Sequence, residues 1–205
     1  MSLQSSEFSH LVETKASSRE VFKGSFLHAF VDGVTLPDGA SATREYVVHP
    51  GAVMVIPLLQ DAAGAWRVVL ERQYRYPVGR VMIEFPAGKL DAGESVAACA
   101  QRELLEETGY TAQEWARAGQ MHPVIAYSTE FIDVWFARGL TAGAQHLDAG
   151  EFLEVFTASP EELLQWCMDG SVTDAKTLAG ALWLQNTLNG SWSLPWQSAQ
   201  SLAID

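Results

Sequence analysis

Cysteine, basic residues and long apolar runs are all scarce in this 205-residue sequence. The only two cysteines, Cys99 and Cys167, are too few for a disulfide scaffold and lack metal-thiolate spacing. They read as two reduced thiols of a cytosolic protein. Lys and Arg number 13 against 25 Asp and Glu, a formal net charge of −12. Such a surface repels nucleic-acid phosphate, which excludes a general DNA or RNA binder. Small anionic substrates stay open to an acidic protein, provided bound metal ions supply local positive charge. The longest apolar run, residues 52–59, is far too short to cross a bilayer. The polar start, residues 1–6, lacks the basic-then-apolar pattern of an export signal. No membrane partner is expected, and the expected compartment is the cytoplasm.

What is present is a chain with apolar residues spread along its length, enough to bury one core, and seven tryptophans that argue against disorder. Residues 19–35, rich in Phe and Val, read as one or two strands, and 41–48 as the returning strand of a hairpin across the turn Leu36-Pro37-Asp38-Gly39. Residues 1–50 are therefore expected to form an accessory sheet. Further strands are expected at 52–59, 66–74, 81–85, 120–125, 131–137 and 152–157. The clearest helix is 94–108, with Gly109 as its left-handed stop. Ser159-Pro160-Glu161-Glu162 opens a second helix that ends at Gly170, and 174–188 reads as a third. The segment 191–205 is polar and reads as a flexible tail. Strands, a helix, more strands and terminal helices predict an α+β chain built as an α-β-α layered domain over 51–190.

The chemistry concentrates between residues 88 and 109. Glu103 and Glu107 are four apart and share one helical face. Like charges at that spacing destabilise a helix unless something compensates them. A bound divalent cation does so, and hard Mg²⁺ prefers carboxylate oxygen, water and phosphate. Arg102 is placed to pin Glu106 or Glu94 through a bidentate pair. A merely solvated acidic face leaves the glycines at both ends and the fixed offset of Glu94 unexplained.

Gly88, five residues, Glu94, seven residues, then Arg102-Glu103-Leu104-Leu105-Glu106-Glu107-Thr108-Gly109 resembles the Nudix box at every fixed position. Tyr110, where an aliphatic residue is usual, is a departure at a packing position. Outside the box, Phe22-Lys23-Gly24, Arg44-Glu45, His49-Pro50-Gly51-Ala52-Val53, Gln73-Tyr74-Arg75 and Glu84-Phe85-Pro86-Ala87-Gly88 resemble the ADP-ribose pyrophosphatase branch of that family. That branch usually carries a Ser-Pro-Gly-Phe run beyond the box, where this chain has Ile125-Ala126-Tyr127, with Pro123 the nearest proline.

The resemblance implies a Nudix-type α-β-α sandwich with a mixed central sheet and an N-terminal antiparallel sheet that serves dimerisation and substrate contact. It implies hydrolysis of a phosphoanhydride by water, with ADP-ribose giving AMP and ribose 5-phosphate. Glu103, Glu107, Glu106 and the Ala87 carbonyl oxygen would then ligate Mg²⁺ or Mn²⁺. Glu151, in an acidic loop that Gly150 loosens, is the candidate base or extra ligand, with Glu154 in reserve. Arg102 and Glu106 complete the catalytic set. Arg75, Glu84 and Gly88 are the candidate substrate contacts: Arg75 for phosphate or adenine, Glu84 for a ribose hydroxyl or for Arg102. Tyr74, Tyr76 and Tyr127 are open between stacking on a base and simple packing. The implied partners are a nucleoside diphosphate substrate and a second copy of the chain. Other substrates for the same chemistry are GDP-mannose, ADP-glucose, NADH or coenzyme A. A non-catalytic nucleotide-sensing module is the reading from a different class.

Overall fold

The computed structural model describes residues 6–202. Residues 1–5, which carry most of the polar start, and the last three of the expected tail lie outside the described residues. The described residues divide into two compact units, those up to residue 50 with 124–130, and 51–123 with those from 131 onward.

In the first unit, β1 (Thr14–Lys23), β2 (His28–Thr35) and β3 (Ser41–Val48) pair antiparallel in that order, after a 3-10 turn at Ser6–Leu11. The stretch that read as one or two strands is two, and β1 begins at Thr14, ahead of the expected start. The turn between β2 and β3 uses Gly39 at φ 87°. Asp38 accepts the Ala40 N–H at 2.9 Å, an Asx-type closure. Residues 124–130 join this unit through backbone bonds, Val47 N–H to Tyr127 O at 2.9 Å and Thr129 N–H to Val47 O at 3.0 Å. β1 is exposed along its whole length.

The second unit is built on a mixed sheet. In chain order its elements are β4 (Ala52–Gln60), β5 (Trp66–Arg75), β6 (Arg80–Glu84), β7 (Ala87–Lys89), α1 (Val96–Thr108), β8 (Tyr110–Met121), β9 (Ile132–Ala142), β10 (Leu153–Ala158), α2 (Pro160–Asp169), α3 (Ala175–Leu188), β11 (Gln197–Ser198) and α4 (Ala199–Leu202). The sheet order is β10-β5-β4-β9-β8-β11, with β6 on β5 and β7 on β4. The β4–β9 pair is parallel and the others are antiparallel.

β4 is apolar from Ala52 to Leu59 because both its faces are covered there. Val53 and Val55 pack with Cys99, Ala100 and Leu104 of α1. Met54 and Ile56 pack with Phe85, Leu163 of α2 and Ala181 and Leu184 of α3. Burying each such side chain contributes roughly 1.5–3 kcal/mol. α3 comes this close because Gly180 has no side chain: a Cβ there would lie 2.8 Å from Phe85 Cε2 and 2.9 Å from Met54 Cε. Helix on either face of a mixed sheet is the α-β-α layering expected from the sequence.

Three segments of the second unit also differ from expectation. β8 starts at Tyr110, directly after the α1 stop, rather than near residue 120. Its charged positions hide the strand pattern and are neutralised across the sheet, Glu114 by Arg138 at 2.8 Å and Arg117 by Asp133 at 2.8 Å. Residues 87 and 88, expected with Pro86 only to end a strand, open the short β7. Residues 191–202, expected to be a flexible tail, instead pack on the sheet. Trp196 sits edge-on to Phe136 and under the Arg138 guanidinium, and Leu202 is buried. Among the described residues no helix is long and apolar enough to cross a membrane.

Candidate active site

α1 is fixed at both ends. Ser95 caps its first turn by accepting the Ala98 N–H at 3.2 Å. Gly109, at φ 74°, closes the last turn with its N–H on Leu105 O. With Cys99, Ala100 and Leu104 committed to the core, the adjoining strip carries Glu103 and Glu107, which are only 9% and 3% exposed.

Arg102 organises the carboxylates of the box. Its Nε and Nη2 donate to the two oxygens of Glu94, both at 2.8 Å. Its Nη1 donates to Glu103 Oε1 at 2.7 Å and to Glu106 Oε2 at 3.0 Å, and Nη2 also reaches Lys89 O at 3.1 Å. The sequence offered Glu94 or Glu106 as its partner; it holds both, and Glu103 as well. The bond to Arg102 holds the Glu94 carboxyl down to about 2. The same bonds, that to Glu94 first, raise the Arg102 guanidinium further.

The β6–β7 turn meets this strip. The Ala87 N–H donates to Glu107 Oε2 at 2.9 Å. A Cβ on Gly88 would overlap the Glu103 carboxylate, so only glycine leaves that carboxylate its seat. Burial pushes Glu107 well up, and the charges of Glu71, Glu103 and Glu151 push it the same way. Burial also raises Glu103, against the opposing pull of Arg102. Two neighbouring buried acids of this kind need positive charge in order to ionise together.

Among the described residues no three acidic, imidazole or thiol side chains form a ready-made cage. The donors at hand are nevertheless all hard oxygens, those of Glu103, Glu106, Glu107 and the Ala87 carbonyl. Arg102 offsets the charge of Glu103 and Glu106 but makes no bond to the buried Glu107, and such a set of hard donors fits a divalent cation completed by water or phosphate.

The remaining candidates separate clearly. Arg75 donates through Nε and Nη2 to the two oxygens of Glu84, at 2.7 and 2.9 Å. Glu84 also takes the Lys176 ammonium of α3 and makes no bond to Arg102. Burial alone would raise Glu84, but Arg75 and Lys176 carry it below the usual value. The loop after β9 is tied to the end of α1, His146 N–H to Glu106 O at 2.9 Å and Gln145 Nε2 to Glu107 O at 2.5 Å. That tether brings Glu151 near the cluster, where it takes Gln73 Nε2 at 3.3 Å and the Asp148 N–H at 3.3 Å. Glu154 pairs with Arg72 at 2.8 Å, and strand alternation turns that pair away from Gln73. Tyr74 and Tyr76 are exposed rather than packed. Tyr127 belongs to the first unit, where it lines a shallow apolar hollow with Val21, Phe30, Tyr46 and Val47.

Three contributors escaped the sequence reading: Glu71, Gln73 and Lys176. Glu71 had a signal, a lone acid in the otherwise apolar run Val68-Val69-Leu70. Lys176, more than ninety residues from Glu84, had none.

The family model for the NUDIX domain matches residues 48–179. The chain is 34% identical to the ADP-ribose pyrophosphatase of Bacillus subtilis over 177 residues, covering 85% of this chain and 94% of that protein. It is 35% identical to the methanol dehydrogenase activator of Bacillus methanolicus, covering 84% and 92%. A crystal structure of an ADP compounds hydrolase superposes with a TM-score of 0.77 at 21% identity, covering 87% of this chain and 95% of that one.

Proposed function

The chain belongs to the Nudix family, and from that premise we propose that it hydrolyses the pyrophosphate of ADP-ribose to AMP and ribose 5-phosphate with the help of Mg²⁺ or Mn²⁺. One observation carries the reading. Arg102 gathers Glu94, Glu103 and Glu106 into one cluster, beside a buried Glu107 and above a glycine that nothing larger can replace. Such an array is costly to build and has no purpose in a purely structural helix.

Glu103, Glu107 and the Ala87 carbonyl oxygen form the metal-binding set, with Glu106 as a further carboxylate. The chemistry these cations supply is neutralisation of diphosphate charge and a lowered pKa for water. Arg102 fixes the directions of the carboxylates. Glu151, on its tethered loop, takes the proton from the attacking water. Arg75 is oriented by Glu84 through Nε and Nη2, which leaves its Nη1 to meet a phosphate or the adenine. The Gly88 backbone passes beside the substrate. The name of the Bacillus subtilis relative favours ADP-ribose over GDP-mannose, ADP-glucose, NADH and coenzyme A, and the complete set of box carboxylates disfavours a non-catalytic sensor.

The first unit supports a homodimer that shares substrate contact. β1 is exposed throughout and presents Val21 and Phe22 to solvent, an edge and face suited to a second copy. Two unpaired cysteines suit a reducing cytoplasm.

The test is a panel of these five compounds with Mg²⁺, followed by chromatography of the products. ADP-ribose should give the highest kcat/KM, and the Glu107→Gln variant should give no turnover. Preference for another nucleotide by more than tenfold would reassign the substrate. Full activity of Glu107→Gln would overturn the metal-binding set.

A further inference from the structure

Glu71 lies on β5, outside the Nudix box. It is fully buried, and neither carboxylate oxygen has a hydrogen-bond partner. A buried acceptor left in this state is costly, and an acid doubly so, unless something absent from the polypeptide satisfies it.

The direction of the side chain follows from the strand. Val68 and Leu70 turn into the core beneath α2 and α3. By alternation Glu71 and Gln73 turn to the other face, where the Gln73 amide holds Glu151 at 3.3 Å. The register sets Glu71 opposite Glu84 of β6 and Val155 of β10. The charges that act on it most strongly are those of Glu84, Lys176, Arg75 and Glu151. Both cations among them are bonded to Glu84, so Glu71 faces acids with no cation of its own. Burial, and then Glu84, push its carboxyl up to about 8. Of the charges that act on Glu107, that of Glu71 is the largest. Two buried carboxyls, Glu107 of α1 and Glu71 of β5, thus flank one loop, which is tethered to the end of α1 through Gln145 and His146 and to the Glu71 face of β5 through Gln73 and Glu151. One of them has both oxygens free.

We propose that Glu71 is a further ligand of the divalent-cation cluster, adding a carboxylate from β5 to those of Glu103 and Glu107 from α1. The proposal rests on the metal-binding reading above. With Glu106 counted it adds a fourth carboxylate, which raises the negative charge of the cluster and so its affinity for the cation.

The experiment is calorimetric titration of Mn²⁺, without substrate, into the wild type, Glu71→Gln and Glu107→Gln. Glu71→Gln keeps the volume of the side chain and removes the charge. It should weaken Mn²⁺ binding about tenfold or more, and thermal melting in EDTA should show its fold to be at least as stable as the wild type. Mn²⁺ binding like that of the wild type by Glu71→Gln, with binding lost in Glu107→Gln, would overturn the role of Glu71 and leave the metal-binding reading standing. Unchanged binding in both variants would overturn that reading itself. If Glu71→Gln does not fold, a crystal of the wild type soaked in Mn²⁺ decides the matter. An anomalous peak bonded to a Glu71 oxygen supports the role, and a peak with no Glu71 oxygen in its coordination shell refutes it.

Discussion

Gly88→Ala is the smallest change that should disable this site. The three atoms nearest the added Cβ all belong to the Glu103 carboxylate, so that side chain must yield. To reach ordinary van der Waals contact it has to withdraw by roughly 1 Å or more. That movement loosens its 2.7 Å bond to Arg102 and takes one carboxylate out of the cluster. Misplacing a catalytic group by about 1 Å costs on the order of 10²-fold in rate, or about 2.7 kcal/mol of transition-state stabilisation. The fold should hardly notice, because Gly88 is not among the glycines with positive φ and burial already disfavours the charged form of Glu103. A loss of about 1 kcal/mol would lower Tm by about 2–4 °C in a chain of this size. The assay is AMP release from ADP-ribose at saturating Mg²⁺, with Tm measured on the same samples. Gly93→Ala is the control. Gly93 sits at φ 82° with open space around it, so that variant should lose roughly 1 kcal/mol of stability and keep its rate. A Gly88→Ala enzyme with wild-type kcat would refute the packing of Glu103 on Gly88.

Three other outcomes follow from the same geometry. The Glu107 carboxyl is raised well above its ordinary value of 4.5 by burial, so the stability its protonated form contributes is full below pH 4.5 and is lost as pH rises from there through the raised folded-state value. Glu107→Gln should accordingly melt no lower than the wild type at neutral pH in EDTA, while its Mg²⁺-dependent turnover disappears; a drop in Tm would contradict the sign. Glu94 is the opposite case, lowered from 4.5 to about 2 by Arg102. Its stability contribution is present above pH 4.5 and is lost as pH falls towards 2. Denaturant titrations should therefore show Glu94→Gln less stable than the wild type by at most about 3 kcal/mol at pH 7, with the gap closing in acid. Glu151→Gln should lower kcat by roughly 10²-fold with little change in KM if it is the base. An unchanged rate would remove that role from Glu151, and Glu154, turned away with Arg72, is poorly placed to inherit it.

The parts of this site that the sequence made legible are those set by local spacing. Ser95, Gly109 and the four-residue interval of Glu103 and Glu107 define α1 and its acidic strip within one stretch of chain. Arg102 was legible as a clamp, though not as one that holds three carboxylates at once. β8 was obscured because Glu114 and Arg117 are charged, and their partners, Arg138 and Asp133, lie on a strand that sequence pattern alone does not pair with them. The end of the chain read as loose because its composition is polar, yet Trp196 and Leu202 suffice to dock it. Glu84 was expected to meet Arg102 or a ribose hydroxyl and instead holds Arg75 and Lys176, since the register of β5 with β6 and the first turn of α3 decide its company. Each of these depends on which distant elements become neighbours, information that residue type and period do not contain.

Hydrolysis of ADP-ribose in ¹⁸O-labelled water with Mg²⁺, with mass analysis of both products, tests the central claim most directly. Water attack on a phosphoanhydride, supported by the carboxylates of α1, predicts AMP and ribose 5-phosphate with one ¹⁸O in a phosphate of one product and no reaction in EDTA. Products formed equally fast in EDTA, or carrying no label in phosphate, would contradict it.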